Sequence, residues 1–261
     1  VSANLRRLIV CLDVEGDRVK KGVGFESLRD VGDPVELALR YEAEGADEMV
    51  FLDIKASAEG RGTVLDTVRR TAEQLFIPLT LGGGIRSVAD VEAALRAGAD
   101  KVSMNSAALA APELLTASAK RYGAQCVVLS VDAKRDAAMP SGYRVFSHGG
   151  RKATDRDAVE WAREAVERGA GEILLTSIDR DGARNGYELL LTSRVAERCP
   201  VPVIASGGAG EAQHLVDAIT EGNADAVLVA GILHDGLTTV AALKAAMASA
   251  GLSVRIEGAA R

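Results

Sequence analysis

Two aspartates occupy matching positions in the two halves of the chain. Asp13 ends the apolar run Leu-Ile-Val-Cys-Leu-Asp, and Asp132 ends the similar run Val-Val-Leu-Ser-Val-Asp. Each run predicts a buried strand, and α/β enzymes place reactive side chains at the carboxyl ends of such strands. Two opposed carboxyl groups can act as general acid and general base on the two faces of one substrate. The alternative is a structural role for each aspartate, as a helix cap or an ion-pair partner.

The sequence also repeats itself at a longer range. Phe-Leu-Asp53 matches Ser-Ile-Asp179, and the glycine cluster at 82–84 matches the cluster at 207–210, with offsets of about 119 to 126 residues. Such repetition predicts one half-domain written twice. We expect half-barrels at approximately residues 1–122 and 123–261.

Short β-rich runs alternate with segments of helical period along the chain. This alternation is typical of a parallel sheet with crossover helices. The 261 residues match the roughly 250 of one (β/α)8 barrel, and 48% hydrophobic content can fill its core. We therefore predict an α/β fold, a single (β/α)8 TIM barrel over residues 1–261. Its strands are predicted to begin near Arg7, Glu48, Pro78, Lys101, Cys126, Glu172, Pro202 and Ala226.

The segments between the strands give further predictions. The third helix should begin after its cap Ser87, end at Gly98 and cover the barrel with its apolar face. The connections at 14–33 and 133–155 are too long for tight turns. Because they follow the strands of Asp13 and Asp132, we expect both excursions on the catalytic face.

Two glycine clusters each follow a predicted strand and precede a helix. Glycine at such a turn lets backbone N–H groups approach a phosphate. In these barrels a phosphate site commonly uses the loops after strands seven and eight. The alternative is that the glycines serve only tight turns. The predicted sites are Gly83, Gly84, Asn105 and Ser106 in the first half, and Gly207, Gly208, Ala230 and Gly231 in the second.

A barrel with opposed phosphate sites suits an elongated small-molecule substrate phosphorylated at both ends. Lys21, in the long loop after the first strand, could close over a bound anion, although a loop lysine is more often simply solvated.

Composition and charge exclude several classes of protein. The formal net charge of −6, with acids and bases interspersed, gives no basic stripe for nucleic acid. No run approaches the ~20 apolar residues that span a bilayer, and no signal-peptide pattern opens the chain. We therefore expect no membrane association and a cytoplasmic location. Three widely spaced cysteines argue against a disulfide framework or a zinc site.

Motifs over nearly the whole chain form one pattern. They include Cys-Leu-Asp13-Val, Val-Phe-Leu-Asp53-Ile, Gly-Gly-Gly84-Ile, Asp132-Ala-Lys-Arg and Gly-Glu172-Ile-Leu-Leu-Thr-Ser-Ile-Asp-Arg-Asp181-Gly. This pattern resembles the cyclase subunit of imidazole glycerol phosphate synthase, of histidine biosynthesis. The sister isomerase of that pathway shares the half-barrel repeat but lacks the first motif and the last. The resemblance therefore favours the cyclase branch.

The resemblance implies a lyase-type ring closure. Ammonia from a glutaminase partner would attack phosphoribulosyl-formimino-aminoimidazole carboxamide ribonucleotide, giving imidazole glycerol phosphate and aminoimidazole carboxamide ribotide. By the family pattern, Asp13 and Asp132 take the acid and base roles, and Lys21 belongs to a mobile loop over the substrate. No metal or redox cofactor is implied.

The same pattern implies substrate contacts at the end of the sixth strand, from Thr176, Ser177 and Asp181. Three alternatives stay open beside the cyclase. One is the isomerase of the same pathway, a second is a related barrel with a shifted bis-phosphate substrate, and a third is a non-catalytic scaffold for a glutaminase.

The family also passes ammonia through the barrel from a glutaminase docked at the amino-terminal face, where a ring of charges acts as a gate. Gln125 and Asp100 each directly precede a predicted strand start, which places them near that face. They are predicted docking residues. A salt-bridge plug of the barrel floor would have the same geometry as a gate. Four charged residues, each at a predicted strand start, match the ring: Arg7, Glu48, Lys101 and Glu172.

The chain departs from the family pattern at four positions on the catalytic face. They are Gly24, Lys55, Asp155 and Gly231, where the family usually has Asn, Thr, Gly and Ser. The missing hydroxyl at Gly231 removes a phosphate donor of roughly 1.5–3 kcal/mol, which predicts weaker substrate binding. Lys55 adds a cation that would compensate or would indicate a shifted substrate.

Overall fold

The computed structural model describes residues 5–23, 26–55 and 61–256. Within these ranges, eight parallel strands form a closed barrel and four more form two antiparallel extensions. In chain order the strands are β1 (Arg7–Glu15), β2 (Arg18–Val23), β3 (Glu26–Gly32), β4 (Glu48–Asp53), β5 (Leu79–Gly82), β6 (Lys101–Met104), β7 (Val127–Arg135), β8 (Tyr143–Ser147), β9 (Lys152–Asp157), β10 (Glu172–Ser177), β11 (Val203–Ser206) and β12 (Ala226–Val229).

The barrel strands follow the order β1, β4, β5, β6, β7, β10, β11 and β12. The ring closes because β12 pairs in parallel with β1, with Arg7 opposite Ala226. The two halves meet where β7 pairs with β10, with Val128 opposite Glu172. Each predicted strand start lies within one residue of the observed one, and the predicted TIM barrel is confirmed.

Helices cover the outside of the barrel. The main core lies between them and the strands, and its largest fully buried side chains include Trp161, Tyr41 and Phe51. No helix of the described ranges is long and apolar enough to cross a membrane. The helices are α1 (Pro34–Ala43), α2 (Arg61–Ala72), α3 (Val88–Arg96), α4 (Ser106–Ala110), α5 (Glu113–Tyr122), α6 (Ala158–Glu167), α7 (Leu189–Arg198), α8 (Ala212–Thr220), α9 (Gly231–His234) and α10 (Val240–Ser249).

Helix α3 begins and ends as the sequence predicts. The Ser87 hydroxyl accepts the Asp90 N–H at 3.2 Å, which satisfies one amide of the first turn. Gly98 follows the helix with φ +106°, a conformation that favours glycine. Val91 and Ala94 are the fully buried residues of the inner face.

Both long connections are antiparallel extensions of barrel strands. Strand β1 continues past Asp13 and pairs with β2, which pairs with β3. Strand β7 continues past Asp132, whose partner on β8 is Phe146, and β8 pairs with β9. Since both extensions leave the carboxyl ends of their strands, they lie on the predicted catalytic face. The hairpin of β7 and β8 agrees with the hairpin-like sequence Ser-Gly142-Tyr, whereas the strands of the first extension were not predicted.

A repeated aspartate contact joins neighbouring strands at the amino-terminal end of the barrel. The barrel consists of four successive pairs of strands. In three of these pairs, the aspartate directly before the second strand accepts a backbone N–H at the start of the first strand. The fourth equivalent position is Gly171, where a Cβ atom would lie 2.3 Å from the Ala124 carbonyl oxygen. The three pairs are Leu8 N to Asp47 at 2.8 Å, Leu79 N to Asp100 at 2.8 Å, and Val203 N to Asp225 at 3.1 Å.

The three cysteines are free thiols. Cys11 and Cys199 are buried, as expected for small apolar side chains, whereas Cys126 is half-buried in a 3-10 turn at Ala124–Cys126.

Candidate active site

Asp13 and Asp132 both face the inside of the barrel at its mouth. Side chains alternate along a strand, and Ile9 and Cys11 of β1 belong to the apolar cluster inside the barrel. Asp13 therefore shares their face. By the same alternation Asp132 shares the inner face of β7 with Val128. The two predicted acid–base residues are thus placed on strands separated by half the ring.

The two carboxyl groups are held in a similar electrostatic environment. Burial raises the pKa of Asp13 to about 6, and the charge of Asp181 adds to the effect. Burial also raises the pKa of Asp132 to about 6, helped by Asp181 and opposed by a hydrogen bond from Asn105. Among the described residues, neither has a basic partner within ion-pair distance. Both therefore titrate near the pH at which acid–base groups work well.

The turns formed by the glycine clusters at 82–84 and 207–210 are called the first and the second glycine corner. Asn105 connects the first glycine corner to Asp132. Its amide Nδ2 donates to Asp132 Oδ2 at 2.8 Å and to the Phe146 carbonyl at 3.2 Å. Its Oδ1 is buried and has no hydrogen-bond partner among the described residues. In this structure the Asn105 side chain orients a catalytic candidate, and its predicted phosphate contact stays a prediction.

The end of β10 brings three predicted substrate contacts to the mouth. Thr176 is the register partner of Asp132 and shares the inner face. Ser177 is buried on the opposite face, but its carbonyl accepts the N–H groups of Arg180 at 3.2 Å and Asp181 at 2.9 Å. This turn brings Asp181 close to both catalytic candidates. Loss of hydration raises the pKa of Asp181, opposed by the Gly182 N–H.

The two glycine corners have matching backbone shapes. Gly83 and Gly207 both have φ +85°, and Gly84 and Gly208 also have positive φ. A Cβ on Gly83 would lie 2.4 Å from the Asp53 carbonyl oxygen, and one on Gly207 would lie 2.8 Å from that of Ser177. Packing alone therefore requires glycine at both positions. These close contacts also support the alternative that the glycines serve only tight turns.

Each corner is completed by a very short helix, α4 or α9. Their cap residues share an unusual backbone conformation, with φ −118° and ψ −84° at Asn105, and φ −139° and ψ −76° at Ala230. The corners differ in chemistry, because Ser106 supplies a hydroxyl that accepts the His148 N–H at 2.8 Å. Gly231 supplies only its backbone.

The remaining predicted residues of the mouth are only partly described. Lys21 lies on β2, and its side chain and Gly24 fall outside the described part of the chain. The Lys55 ammonium contacts the Glu15 carboxylate. This pairing neutralises the positive charge that Lys55 adds at the end of β4.

The predicted charge ring is present at the barrel floor. Arg7 contacts Glu48 and lies 2.6 Å from Glu172, while Lys101 Nζ lies 3.0 Å from Glu48 and 2.8 Å from Glu172. Each cation thus bridges both carboxylates. Burial acts to lower the pKa of Arg7, but the two carboxylates outweigh it and raise that pKa. Both glutamates are 5% exposed.

Between floor and mouth the barrel interior is mainly apolar. Ser103, on the inner face of β6 with Lys101, has a buried hydroxyl without a hydrogen-bond partner among the described residues. The apolar layer consists of Ile9, Cys11, Val50, Val128, Leu174, Ile204, Ala226 and Leu228.

The outer surface around the floor exposes large apolar side chains. Phe76 is 93% exposed, and Leu5 and Ile256 lie at the same end of the barrel with more than half of their surface exposed. A cavity of about 260 Å³ beside Phe76 is lined in part by Asp100. Gln125 is exposed nearby, and its amide donates to the Tyr122 carbonyl.

Two acidic residues near the mouth were missed by sequence reasoning. Glu188 pairs with arginines that neighbour Asp132 and Asp181. Asp235 pairs with Arg29 of β3 and with Arg184 of the loop that follows β10. The only sequence signal was the position of the arginines: Arg180 directly precedes Asp181, and Arg135 follows Asp132 by three residues.

The fold and the site together define a class, a (β/α)8 barrel enzyme with two half-buried carboxyl groups on opposite strands at its mouth. A family model described as "Histidine biosynthesis protein" matches residues 7–239. The chain is 70% identical over 250 residues to imidazole glycerol phosphate synthase subunit HisF of Myxococcus xanthus, covering 96% of this chain and 98% of that protein. It is 57% identical over 253 residues to the HisF subunit of Corynebacterium glutamicum strain R, covering 95% and 98%.

The chain therefore belongs to the histidine biosynthesis protein family, among the cyclase subunits of imidazole glycerol phosphate synthase. The family predicted from the motifs is confirmed, and the isomerase alternative is not favoured.

Proposed function

We propose that the chain closes the imidazole ring of imidazole glycerol phosphate. Ammonia condenses with phosphoribulosyl-formimino-aminoimidazole carboxamide ribonucleotide: the ribulosyl keto oxygen leaves as water, the new nitrogen bonds to the formimino carbon, and the bond from that carbon to the nitrogen of aminoimidazole carboxamide ribotide breaks. The observation that carries this proposal is the pair of half-buried carboxyl groups with raised pKa values, Asp13 and Asp132, between two glycine corners of matching shape. The family membership of the chain supports the same reaction.

Asp13 and Asp132 are the proposed acid–base pair. One accepts the proton that the attacking nitrogen loses, and the other donates a proton to the departing aminoimidazole nitrogen. A pKa of about 6 for each group supports both roles, because a carboxyl group with this pKa gives and takes protons readily near neutral pH. Thr176 and Asp181 would contact the substrate between them.

The two phosphates of the substrate are proposed to occupy the two glycine corners. Gly83, Gly84 and Ser106 would hold one end, and Gly207, Gly208 and Gly231 the other. Support comes from the shared positive φ angles and from the matching caps of α4 and α9. Lys21 would close over the bound substrate.

Ammonia is proposed to enter through the charge ring and to cross the apolar interior of the barrel. The ring is closed in this structure, since each cation contacts both carboxylates. Passage requires at least one of these contacts to break. If the ring is a gate, Lys101→Met should change glutamine-driven turnover in the complex with the partner and leave ammonium-driven turnover unchanged. An equal effect on both, together with lower stability, would support a plug instead.

A glutaminase subunit is the proposed partner, docked at the amino-terminal face to form a heterodimer. Support comes from the exposed Phe76, Leu5 and Ile256 around the floor, because apolar anchors of this kind dominate stable interfaces. Asp100 and Gln125 lie on the same face as polar contacts. A cytoplasmic location remains part of this proposal.

The test is turnover of the doubly phosphorylated ribonucleotide by the purified chain in ammonium salt. Formation of imidazole glycerol phosphate and the ribotide in equal amounts is the expected result. The substrate of the sister isomerase serves as control and should remain unchanged. Binding of the ribonucleotide without turnover would overturn the proposed reaction and direct attention to Gly231 and Lys55.

A further inference from the structure

The loop from 178 to 187, between β10 and α7, connects the two catalytic strands electrostatically. It carries Asp181, whose charge acts on both Asp13 and Asp132. Among the described residues, Asn105 is the other group that acts on the pKa of Asp132. The position of this one loop therefore affects the pKa of both carboxyl groups. Contacts that hold the loop in place therefore influence proton transfer at the site.

The first fixed point of the loop is a buried carboxylate, Glu188, at the cap position of α7. Arg135 donates to it through Nε at 3.0 Å and Nη2 at 2.7 Å, and the Tyr143 hydroxyl donates at 3.1 Å. Arg180 of the loop lies 3.6 Å away through Nε. Because Arg135 follows Asp132 on β7, Glu188 joins the loop to the strand of Asp132.

Glu188 is charged in this setting. Burial alone would raise its pKa, but hydrogen bonds from Arg135 and Tyr143 and the charges of Arg135 and Arg180 lower it. The side chain is 4% exposed. A forked arginine pair on a buried carboxylate is among the stronger and more directional polar contacts in proteins.

The second fixed point is Asp235, directly after α9. Arg184 of the loop contacts one of its oxygens, and Arg29 of β3 donates to the other at 2.7 Å. Strand β3 belongs to the extension that follows Asp13. Asp235 therefore joins the loop to the excursion of the other catalytic strand, across 206 residues of sequence.

The arginines of the two bridges, Arg180 and Arg184, lie on either side of Asp181 in the loop. In each bridge the carboxylate is less exposed than either arginine, with Glu188 buried and Asp235 half-buried. The loop also packs on the second glycine corner, where the Gly186 N–H donates to the Gly208 carbonyl at 2.9 Å. Loss of either carboxylate would release two arginines at once.

We infer that Glu188 and Asp235 are positioning residues of the acid–base site, which hold the Asp181 loop between Asp13 and Asp132 through two arginine–carboxylate–arginine bridges. This inference rests on the proposed acid–base function. Neither residue is assigned a contact with substrate.

The test compares Glu188→Gln and Asp235→Asn with the natural chain in ammonium-driven turnover from pH 4.5 to 8, at constant free ammonia. A looser loop lets the negative charge of Asp181 move away from Asp13 and Asp132, and the freed arginines leave positive charge nearby. Both changes make ionisation of the two aspartates easier. Each variant should therefore lower kcat by about tenfold and move the acid limb of kcat/KM to lower pH. The double variant should exceed either single variant.

Two matched controls separate this role from a general loss of ion pairs. Glu164→Gln removes a carboxylate that pairs with Arg156 and Arg168 on the outside of α6. Glu92→Gln removes one that pairs with Arg96 of α3 and Arg121 of α5 on the outside of the barrel. Both controls should keep the natural pH limb and a kcat within about twofold of the natural value.

The outcomes distinguish the inference from the function on which it rests. If the natural chain turns over the ribonucleotide and both variants keep its pH limb and kcat while melting earlier, the bridges are merely structural and the inference is wrong. If the natural chain shows no turnover, the proposed function fails and the inference fails with it. A shifted limb in both variants, with unshifted controls, supports it.

Discussion

The barrel has carboxyl groups inside both of its ends, and the two ends place them in opposite electrostatic surroundings. At the floor, the buried Glu48 and Glu172 each contact both Arg7 and Lys101. At the mouth, Asp13 and Asp132 are half-buried and lie beside a third acid, Asp181.

The difference shows what makes a buried acid useful for chemistry. A buried carboxylate with two cationic partners, as at the floor, is committed to its ion pairs. One without such partners keeps a raised pKa and exchanges protons near neutral pH. The two kinds lie on neighbouring strands, since Glu48 begins β4 beside the β1 strand of Asp13, and Glu172 begins β10 beside the β7 strand of Asp132.

The largest expected effect breaks the chemistry at the mouth. Asp13→Asn and Asp132→Asn should each lower kcat by about 10²- to 10⁴-fold in ammonium-driven assays, because the amide cannot transfer the proton. Asp53→Asn is the matched control, a strand-end aspartate that accepts the Lys55 N–H, and should lose less than about tenfold. Near-natural turnover by Asp132→Asn would remove the acid–base assignment.

The next effect breaks the structure at the floor. Glu172→Gln leaves Arg7 and Lys101 with one carboxylate, and should lower the free energy of unfolding by about 3–5 kcal/mol. Denaturant unfolding measures this value. Glu167→Gln, which removes an exposed pair with Arg163, should change it by less than about 0.5 kcal/mol. Equal stability of the two variants would show that the ring contributes nothing.

The pH dependence sharpens the comparison. At constant free ammonia, kcat/KM should fall about tenfold per pH unit below about pH 6, because the base becomes protonated. Asp181→Asn removes the neighbouring negative charge, lowers the pKa of both groups and should move this limb to lower pH. The two carboxyl groups interact, so the measured pKa values belong to the pair. An unmoved limb in Asp181→Asn would contradict the electrostatic explanation.

The smallest expected effect leaves all the carboxyl groups unchanged. Gly231→Ser adds a hydroxyl donor at the second glycine corner and should lower KM about three- to tenfold with little change in kcat. The substitution acts on binding rather than on proton transfer, so a split between KM and kcat is its signature. Equal KM values for the two chains would remove the phosphate contact proposed for this position.

The sequence predicts much of this molecule because its signals are local and repeated. Arg7, Glu48, Lys101 and Glu172 were predicted as strand starts and as one ring, and they occupy those positions. Strand alternation then fixes which residues face the interior. The motifs identified the family for the same reason, since each spans a strand end and its loop.

Other features depended on contacts that no local pattern contains. The Arg29 bridge to Asp235 joins residues 206 positions apart. The amide of Asn105 donates to Asp132 because β6 and β7 are neighbours, a contact that no local pattern contains. The strands of the first extension were not predicted because charged residues dominate them, whereas β8 alternates, with Tyr143 and Val145 buried, and follows a hairpin-like Ser-Gly142-Tyr. The half-barrel boundaries and the phosphate contacts stay predictions.

The most direct test is the free energy of unfolding of Asp132→Asn beside the natural chain, at pH 7.5 and at pH 4. The folded pKa of about 6 lies above the ordinary value of 3.8, so the folded state loses stability as pH rises between these values. The variant should be more stable than the natural chain by about 1–3 kcal/mol at pH 7.5, and the gain should vanish near pH 4. A less stable Asp132→Asn at pH 7.5 would show that the mouth compensates its charges as the floor does.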